Sequence, residues 1–527
     1  TAATAYSFVP TNSRDEQAQA ALGQIETMQA DVTPLLARLA DWVHALGVDA
    51  LAEVSTEVAE HLLPLARLAE RAAHQMSEAE EHLYAALTVT GASAWSRLQG
   101  DLTSQLTAAV ELPDGTQTLP LPAVRGLATH PDPAVRQAAY DAELQAWPTI
   151  AVPVAAALNA IKGETNVVNA RRHWDAPLDA SLYANSVSRA TFDAMQDAVQ
   201  AALPDLRRWM RTKARLHGHA AGSGLPWRDL VAPLPEVAST ISWDDGVQWV
   251  RTAFGDYSAE LGGLVDRALA ERWIDAAPRD GKTGGAFCME FFDDRSLVLL
   301  NWSGSVESAQ TTAHELGHAY HNTTLAGRTP LQRRLPMALA ETASIFCETI
   351  VFQGLLQSTT GGARLALLEL DMQQVTQLVI DIHSRFLFES GVFERRAQRD
   401  LSVAELDALM LEAQDRTYGD TLDPETRHPL MWAHKGHYYS SGLSFYNYPY
   451  TFGFLFGVGL YAQYLAEPDV FRERYDELLA STGMADAASL ARGFGIDIED
   501  EAFWRASLDV VAERVKAFKS AVAMVAP

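Results

Sequence analysis

The chain has 527 residues, enough for two or more lobes around sizeable cores, and its 48% hydrophobic and 20% charged content is ordinary for a soluble enzyme. Asp and Glu number 67 against 41 Lys and Arg, a formal charge of −26, which argues against nucleic acid or an anionic membrane as partner. Two cysteines, Cys288 and Cys347, cannot build a disulfide framework and suit a reducing cytoplasm, the expected compartment.

Thr1–Pro10 lacks a basic region followed by an apolar core, so no signal peptide is expected. Residues 15–108 are rich in Ala, Leu, Glu and Gln, with apolar positions three and four apart, which predicts several amphipathic helices. Between Val110 and Leu119 the pattern breaks at Asp114-Gly115, a turn signal that predicts a short hairpin. Pro131-Asp132-Pro133 starts a new helix through Tyr140, and helices continue to about residue 217. A looser connection carrying Trp227 runs from Gly222 to Pro235. Phe287–Phe291 and Leu297–Asn301 read as strands flanking the polar turn Asp293-Asp294-Arg295. The longest apolar stretch, Phe452 to Leu465, is shorter than a membrane span and carries several Gly and Tyr, so no transmembrane segment is expected. The expected fold is mainly α, with a helical N-terminal region and hairpin over 1–125 and a helical catalytic region over 126–527, the two interleaved.

The pentapeptide His314-Glu315-Leu316-Gly317-His318 carries the most chemistry. Residues four apart lie on one face of a helix, so His314 and His318 can reach one metal ion. Glu315, one step round, can take a proton from a water at that metal. Ser303-Gly304-Ser305 offers N-caps, and no proline interrupts Thr312–His321. A zinc site of this kind needs a third His or Glu further on. A His six residues after the second is one arrangement, but Thr324 stands there. Glu341 is the next candidate, inside a helix that begins near Pro336 and is apolar around most of its circumference. A charge there needs a partner, which metal ligation or a buried salt bridge would supply. Glu348, two turns on along the same face, can support a ligating histidine or cap a polar network.

Two further segments bear on substrate. Gly284-Gly285-Ala286-Phe287, ahead of the HExxH helix, would let an extended peptide approach a strand edge, or else forms a tight structural turn. His434, His437, Tyr438, Tyr439, Tyr446, Tyr448 and Tyr450 fall within a short aromatic run. Neutral Tyr and His donors can stabilise the oxyanion of peptide hydrolysis, while tyrosines at this density can equally be core packing with hydroxyls at the rim. Ser441-Gly442 and Gly453 flank the run as possible hinge points.

The string His-Glu-Leu-Gly-His-Ala-Tyr-His followed by Leu-Ala-Glu-Thr-Ala-Ser-Ile-Phe-x-Glu resembles the thimet oligopeptidase and oligoendopeptidase F family of zinc metallopeptidases, with oligoendopeptidase F the nearer branch. Leu87–Arg97, Gly281–Cys288 and Phe445–Gly453 resemble the same family, in the family's order. Cys347 departs from it, standing where a small polar residue is expected. The resemblance implies a two-lobed helical architecture enclosing a deep channel that admits unfolded oligopeptides and excludes folded proteins. It implies one zinc ion on His314, His318 and Glu341, with Glu315 as general base, and Glu348 behind a ligating histidine. It further implies oxyanion donors from His437 and the Phe445–Tyr450 run, foremost Tyr450, then Tyr446 or Tyr448, and it supports the placing of Gly284–Phe287 beside substrate.

The expected function is therefore zinc-dependent endopeptidase action on short oligopeptides. An exopeptidase, carboxypeptidase-like above all, and a non-catalytic metal-stabilised peptide-binding protein are the competing readings. Intact Glu315, which adds nothing to metal binding, disfavours the last. An aminopeptidase with its third ligand 19 residues after His318 would meet Met337 there. Oligomeric state cannot be read from the sequence.

Overall fold

The computed structural model describes residues 2–234, 241–292, 294–440 and 442–525. Asp293 of the expected polar turn, Ser441 of the expected hinge and the last residue of the Gly222–Pro235 connection lie outside them.

Helices dominate, as the 3.6-residue periodicity predicts, and several of the main ones have an identifiable cap at their start. Asp15 caps the 31-residue helix Glu16–Leu46, Ser77 closes a capping box on Glu78–Thr90, and Asp132 caps Pro133–Ala146 with proline in its first turn. The break between Glu78–Thr90 and Ala92–Gln105 falls at Gly91, inside the Leu87–Arg97 string. There Glu164 accepts from the Thr88 hydroxyl (3.0 Å) and the Ala92 amide (2.9 Å), so the carboxylate caps the second helix from outside. A Cβ at Gly91 would lie 2.7 Å from that carboxylate, which is the packing reason for glycine.

The hairpin forms one residue earlier than the turn signal suggests. β1 (Thr107–Leu112) and β2 (Gly115–Pro120) pair antiparallel with Leu112 opposite Gly115, so Pro113-Asp114 is the loop and Gly115 takes its positive φ at +121°. The second sheet has three strands in the order β3 (Ile274–Asp275), β5 (Ser296–Leu299), β4 (Phe287–Glu290). β4–β5 is antiparallel as expected, whereas β3, a two-residue strand with no sequence signal of its own, adds in parallel to the other side of β5. β4 is consequently an edge strand.

Two large cores organise the chain. One is built from residues 92–161 together with 388–439, and the other mainly from 178–380 with 445–521. A third, small cluster around Val43, Val48 and Leu65 stabilises the N-terminal helices. The boundary expected near residue 125 thus falls inside the first core, where the hairpin packs on Pro133–Ala146. Met337–Ser358 is long and apolar enough to cross a membrane by length and composition, but 72% of its window is buried within the fold, as befits a core helix.

Candidate metal and substrate site

The HExxH helix spans Val306–Thr324, capped by the Ser305 hydroxyl, which accepts from the Ser308 amide (3.2 Å). It packs on the segment Met337–Ala340 and Thr342–Ser358, one apolar stretch interrupted at Glu341, whose backbone (φ −84°, ψ 1°) leaves the helical region. The expected helix from Pro336 is therefore broken at its charged residue. That break turns the Glu341 carboxylate to the two histidines.

The donor atoms of His314, His318 and Glu341 all lie within 4.8 Å of one another. Glu341 Oε2 is 3.2 Å from His314 Nε2 and 3.4 Å from His318 Nε2. Ligands at zinc distances and tetrahedral angles sit about 3.3–3.5 Å apart, so this donor set fits one such ion with a coordination position to spare. The Ser344 hydroxyl donates to Glu341 Oε2 (2.6 Å), fixing the carboxylate. Behind His314, Nδ1 lies 3.1 Å from Glu348 Oε2, the arrangement that leaves Nε2 directed at a metal. Gln374 Nε2 donates to the other Glu348 oxygen (2.9 Å), a support no periodicity announces.

Charge follows from this packing. Burial opposes ionisation of His314, but the hydrogen bonds to Glu341 and Glu348 outweigh it and hold the imidazole well above its usual range. Burial, with the His314 charge beside it, pushes His318 down to about 4. Burial also acts against Glu341, yet His314 and His318 draw its carboxyl down to about 2. Glu315 is 5% exposed, and burial lifts its carboxyl to about 7, the neighbouring carboxylates adding and His314 opposing. Its side chain is hydrogen-bonded by the backbone of Cys288 on β4, while Oε2 is buried with no partner among the described residues.

Gly317 sets how close the two helices come. A Cβ there would meet Ser344 Cα at 2.6 Å and Ala343 O at 2.9 Å, both backbone atoms that cannot swing aside. Gly453 plays the same part on the next helix, Tyr448–Ala466, where a Cβ would lie 2.7 Å from Glu341 Cβ. Gly317→Ala is expected to destabilise the fold by about 1–3 kcal/mol through overpacking and to weaken metal binding by parting His318 from Glu341. An unchanged denaturation midpoint with unchanged metal affinity would refute this packing role.

The aromatic run divides by helical geometry. Tyr446 in the turn ahead of the helix and Tyr450 in its first turn bring their hydroxyls to 2.8 Å. His437 stacks on Tyr446 (centroids 5.7 Å, 23° between planes), and its Nε2 is buried without a partner among the described residues. Tyr450 feels the Glu341 charge and is raised above the usual phenol range, by burial first and then by Tyr446 and Glu341. Tyr448 does not join them. Two residues further round the helix, it is buried against Phe192 and donates to Ser181 O (3.2 Å), which corrects its inclusion as an oxyanion donor. His434 lies by Trp147 in the other core.

Gly284 and Gly285 both face open space, since a Cβ on either meets nothing within 4 Å. Gly285 nonetheless needs to be glycine for its φ of +84°. Asn301 clips the segment by donating to Thr283 O (2.9 Å) and Gly285 O (2.8 Å). Phe287 lines a cavity with the Ala2–Thr11 helix and β5, on the opposite side of β4 from Cys288, which lies by Asn322 of the HExxH helix. A cavity of about 1050 Å³ lies between the N-terminal helices, Asn169–Ala184 and Leu331–Pro336, the stretch that leads into Glu341.

The family model described as peptidase family M3 matches residues 260–510, spanning every one of these site residues, and one described as oligopeptidase F matches residues 48–107. Over residues 260–510, a little under half of its length, the chain is similar to peptidase family M3. Among curated relatives, an oligoendopeptidase F homolog of Lactococcus lactis subsp. lactis is 25% identical over 391 residues, covering 74% of this chain and 64% of its own length. A plasmid oligoendopeptidase F of Lactococcus lactis subsp. cremoris is 26% identical over 367 residues, covering 68% and 60%. The chain thus spans less than two thirds of the length of these relatives. The fold is that of oligoendopeptidase-F from Enterococcus faecium, with a TM-score of 0.75 at 17% identity over 99% of this chain and 90% of that one.

Proposed function

We propose that the chain is a zinc-dependent endopeptidase acting on short oligopeptides. The observation that carries this reading is the convergence of His314, His318 and Glu341 within 4.8 Å, with the buried Glu315 carboxylate on the same helix. The match of residues 260–510 to peptidase family M3 and the oligoendopeptidase F names of its relatives support peptide substrates. Zinc, when bound, supplies Lewis-acid polarisation of the scissile carbonyl and acidifies water.

The chain's own residues do the rest. Glu315 takes the proton of the attacking water and returns it to the departing amine. The outer edge of β4 and the uncrowded Gly284-Gly285 segment align an extended backbone. The oxyanion is met by His437 Nε2–H and by the tyrosine pair. That pair has two hydroxyl protons and spends one between its oxygens, leaving one to donate. Tyr450, the member that senses Glu341, is its terminal donor, and Tyr446 polarises it.

The deciding experiment is hydrolysis of an internally quenched peptide blocked at both ends, with chelator and with zinc restored. Chelator-sensitive internal cleavage is expected. Cleavage only of peptides with a free C-terminus would replace this reading by a carboxypeptidase, and no cleavage by metal-loaded protein would replace it by a binding role.

Two expectations concern the donors. Tyr450→Phe should lower kcat on the order of 10²-fold with little change in KM, and Tyr446→Phe should cost less. Equal losses would contradict the order assigned to the pair. His437 is held down to about 3 by burial and by the nearby Arg385 and Lys435 charges, so it is neutral throughout the working range. His437→Gln should therefore lower kcat without removing either limb of the pH profile between pH 5 and 8. Loss of a limb would make it a titrating acid or base instead.

A further inference from the structure

A second cavity, of about 210 Å³, is walled in part by the π-helical turn Thr376–Asp381. Just before the turn, Gln374 reaches toward Glu348, whereas Gln373 lines this cavity, which holds none of the residues placed in the reaction. Five cationic side chains reach its wall, Arg125, Arg136, Arg228, Arg385 and Lys435, against two carboxylates, Glu143 and Asp381. In a chain of net charge −26 that is a local inversion of sign.

The pairing inside the wall does not balance. Glu143 is taken by Arg125, and Asp381 by Arg385. Arg136 is paired with Asp229 at 2.9 Å, and His219 holds the other oxygen of that carboxylate, also at 2.9 Å. Arg228 approaches the same oxygen only to 3.9 Å, too far for a hydrogen bond, and its Nε is buried and unpartnered. Arg385 is 9% exposed, and its Nε is likewise unpartnered. Lys435 has no hydrogen-bond or ion-pair partner among the described residues. Burial, offset only in part by Asp381, holds its ammonium down to about 8. Buried donors left in this state are costly, and a counter-anion removes the cost.

We propose that this cavity binds a compact oxyanion, a phosphate or a carboxylate, with Lys435, Arg228 and Arg385 as its principal donors. Guanidinium forks favour a planar or tetrahedral oxyanion over a halide, because two N–H groups engage two oxygens at once. The site stands independently of peptide hydrolysis. It does share a side chain with the aromatic run, since Arg385 also donates to Asn447 Oδ1 (2.9 Å), between Tyr446 and Tyr448.

Calorimetric titration of the full chain with inorganic phosphate, at pH 7 and constant ionic strength set by sodium chloride, tests the proposal. Saturable binding below about 10 mM is expected for the unaltered protein. Affinity should fall about tenfold or more in Lys435→Met and in Arg228→Gln, the latter at a partly exposed residue, each variant first checked for an unchanged thermal midpoint. No saturable binding, or equal affinity in both folded variants, would overturn the site. Short peptides with free and amidated C-termini then identify the source. Displacement of phosphate by the free acid alone supports a peptide carboxylate, and displacement by neither supports a free oxyanion. Equal displacement by acid and amide would overturn recognition by charge.

Discussion

Glu315→Gln should abolish nearly all peptide turnover, by a factor of about 10²–10⁴, while metal affinity stays the same. The two halves of that expectation rest on different features. Glu315 contributes no atom to the His314–His318–Glu341 donor set, so the amide leaves the ligands untouched. Its lost function is proton transfer, for which a glutamine has no acceptor of comparable basicity. A further readout separates this role from a structural one. In chelator-treated protein the Glu315 carboxyl is raised to about 7 by burial, above its unfolded range near 4.5. An acid with a raised folded pKa costs the fold stability as pH rises through that window, because ionisation is easier in the unfolded chain. The chelated variant should accordingly match the chelated parent below about pH 4.5 and become relatively more stable toward pH 7. Retained turnover would remove Glu315 as base. A variant that lost metal would show that it holds the site together instead.

The parts of this site that were legible in the sequence are those governed by one helix or by helical spacing. His314, Glu315 and His318 are local, and Glu341 and Glu348 follow from a single question, which buried carboxylates need partners. The tyrosines show where that logic stops. Tyr446, Tyr448 and Tyr450 alternate in a run that announces neither where a helix begins nor which face it buries. Only with Tyr448 at the start of a helix does the pairing of 446 with 450 become evident, with Tyr448 turned to Ser181. Which distant segments share a core is hidden for a related reason. A core assembled from 92–161 and 388–439 joins segments more than two hundred residues apart, and composition along the chain carries no trace of that partnership. β3 is two residues long, too short for any alternation. The cationic cavity draws its five charges from separate segments, so no local motif predicts it.

Glu341→Gln should cost more metal affinity than any other single change of a carboxylate, and the comparison with Glu348→Gln makes the expectation informative. Glu341 Oε2 is one of three candidate ligand atoms and is fixed by the Ser344 hydroxyl. A glutamine there retains the hydrogen bond but withdraws the negative charge on which a divalent ion depends. Glu348 acts one step removed, through His314 Nδ1, and is itself held by Gln374. Changes at such outer positions cost about 10–100-fold in metal affinity, so Glu348→Gln should fall in that range and Glu341→Gln beyond it. Competition against a chelator of known zinc affinity orders the two. Folding controls for the alternative, that Glu341 serves as a salt-bridge partner for His314 and His318 and never meets a metal. In that case removing it would leave His314 with Glu348 as its one acidic partner, lowering the thermal midpoint of the metal-free protein while zinc affinity stayed level. As a ligand, the same change should leave the metal-free midpoint nearly where it was and erase the rise in midpoint that zinc gives the unaltered protein.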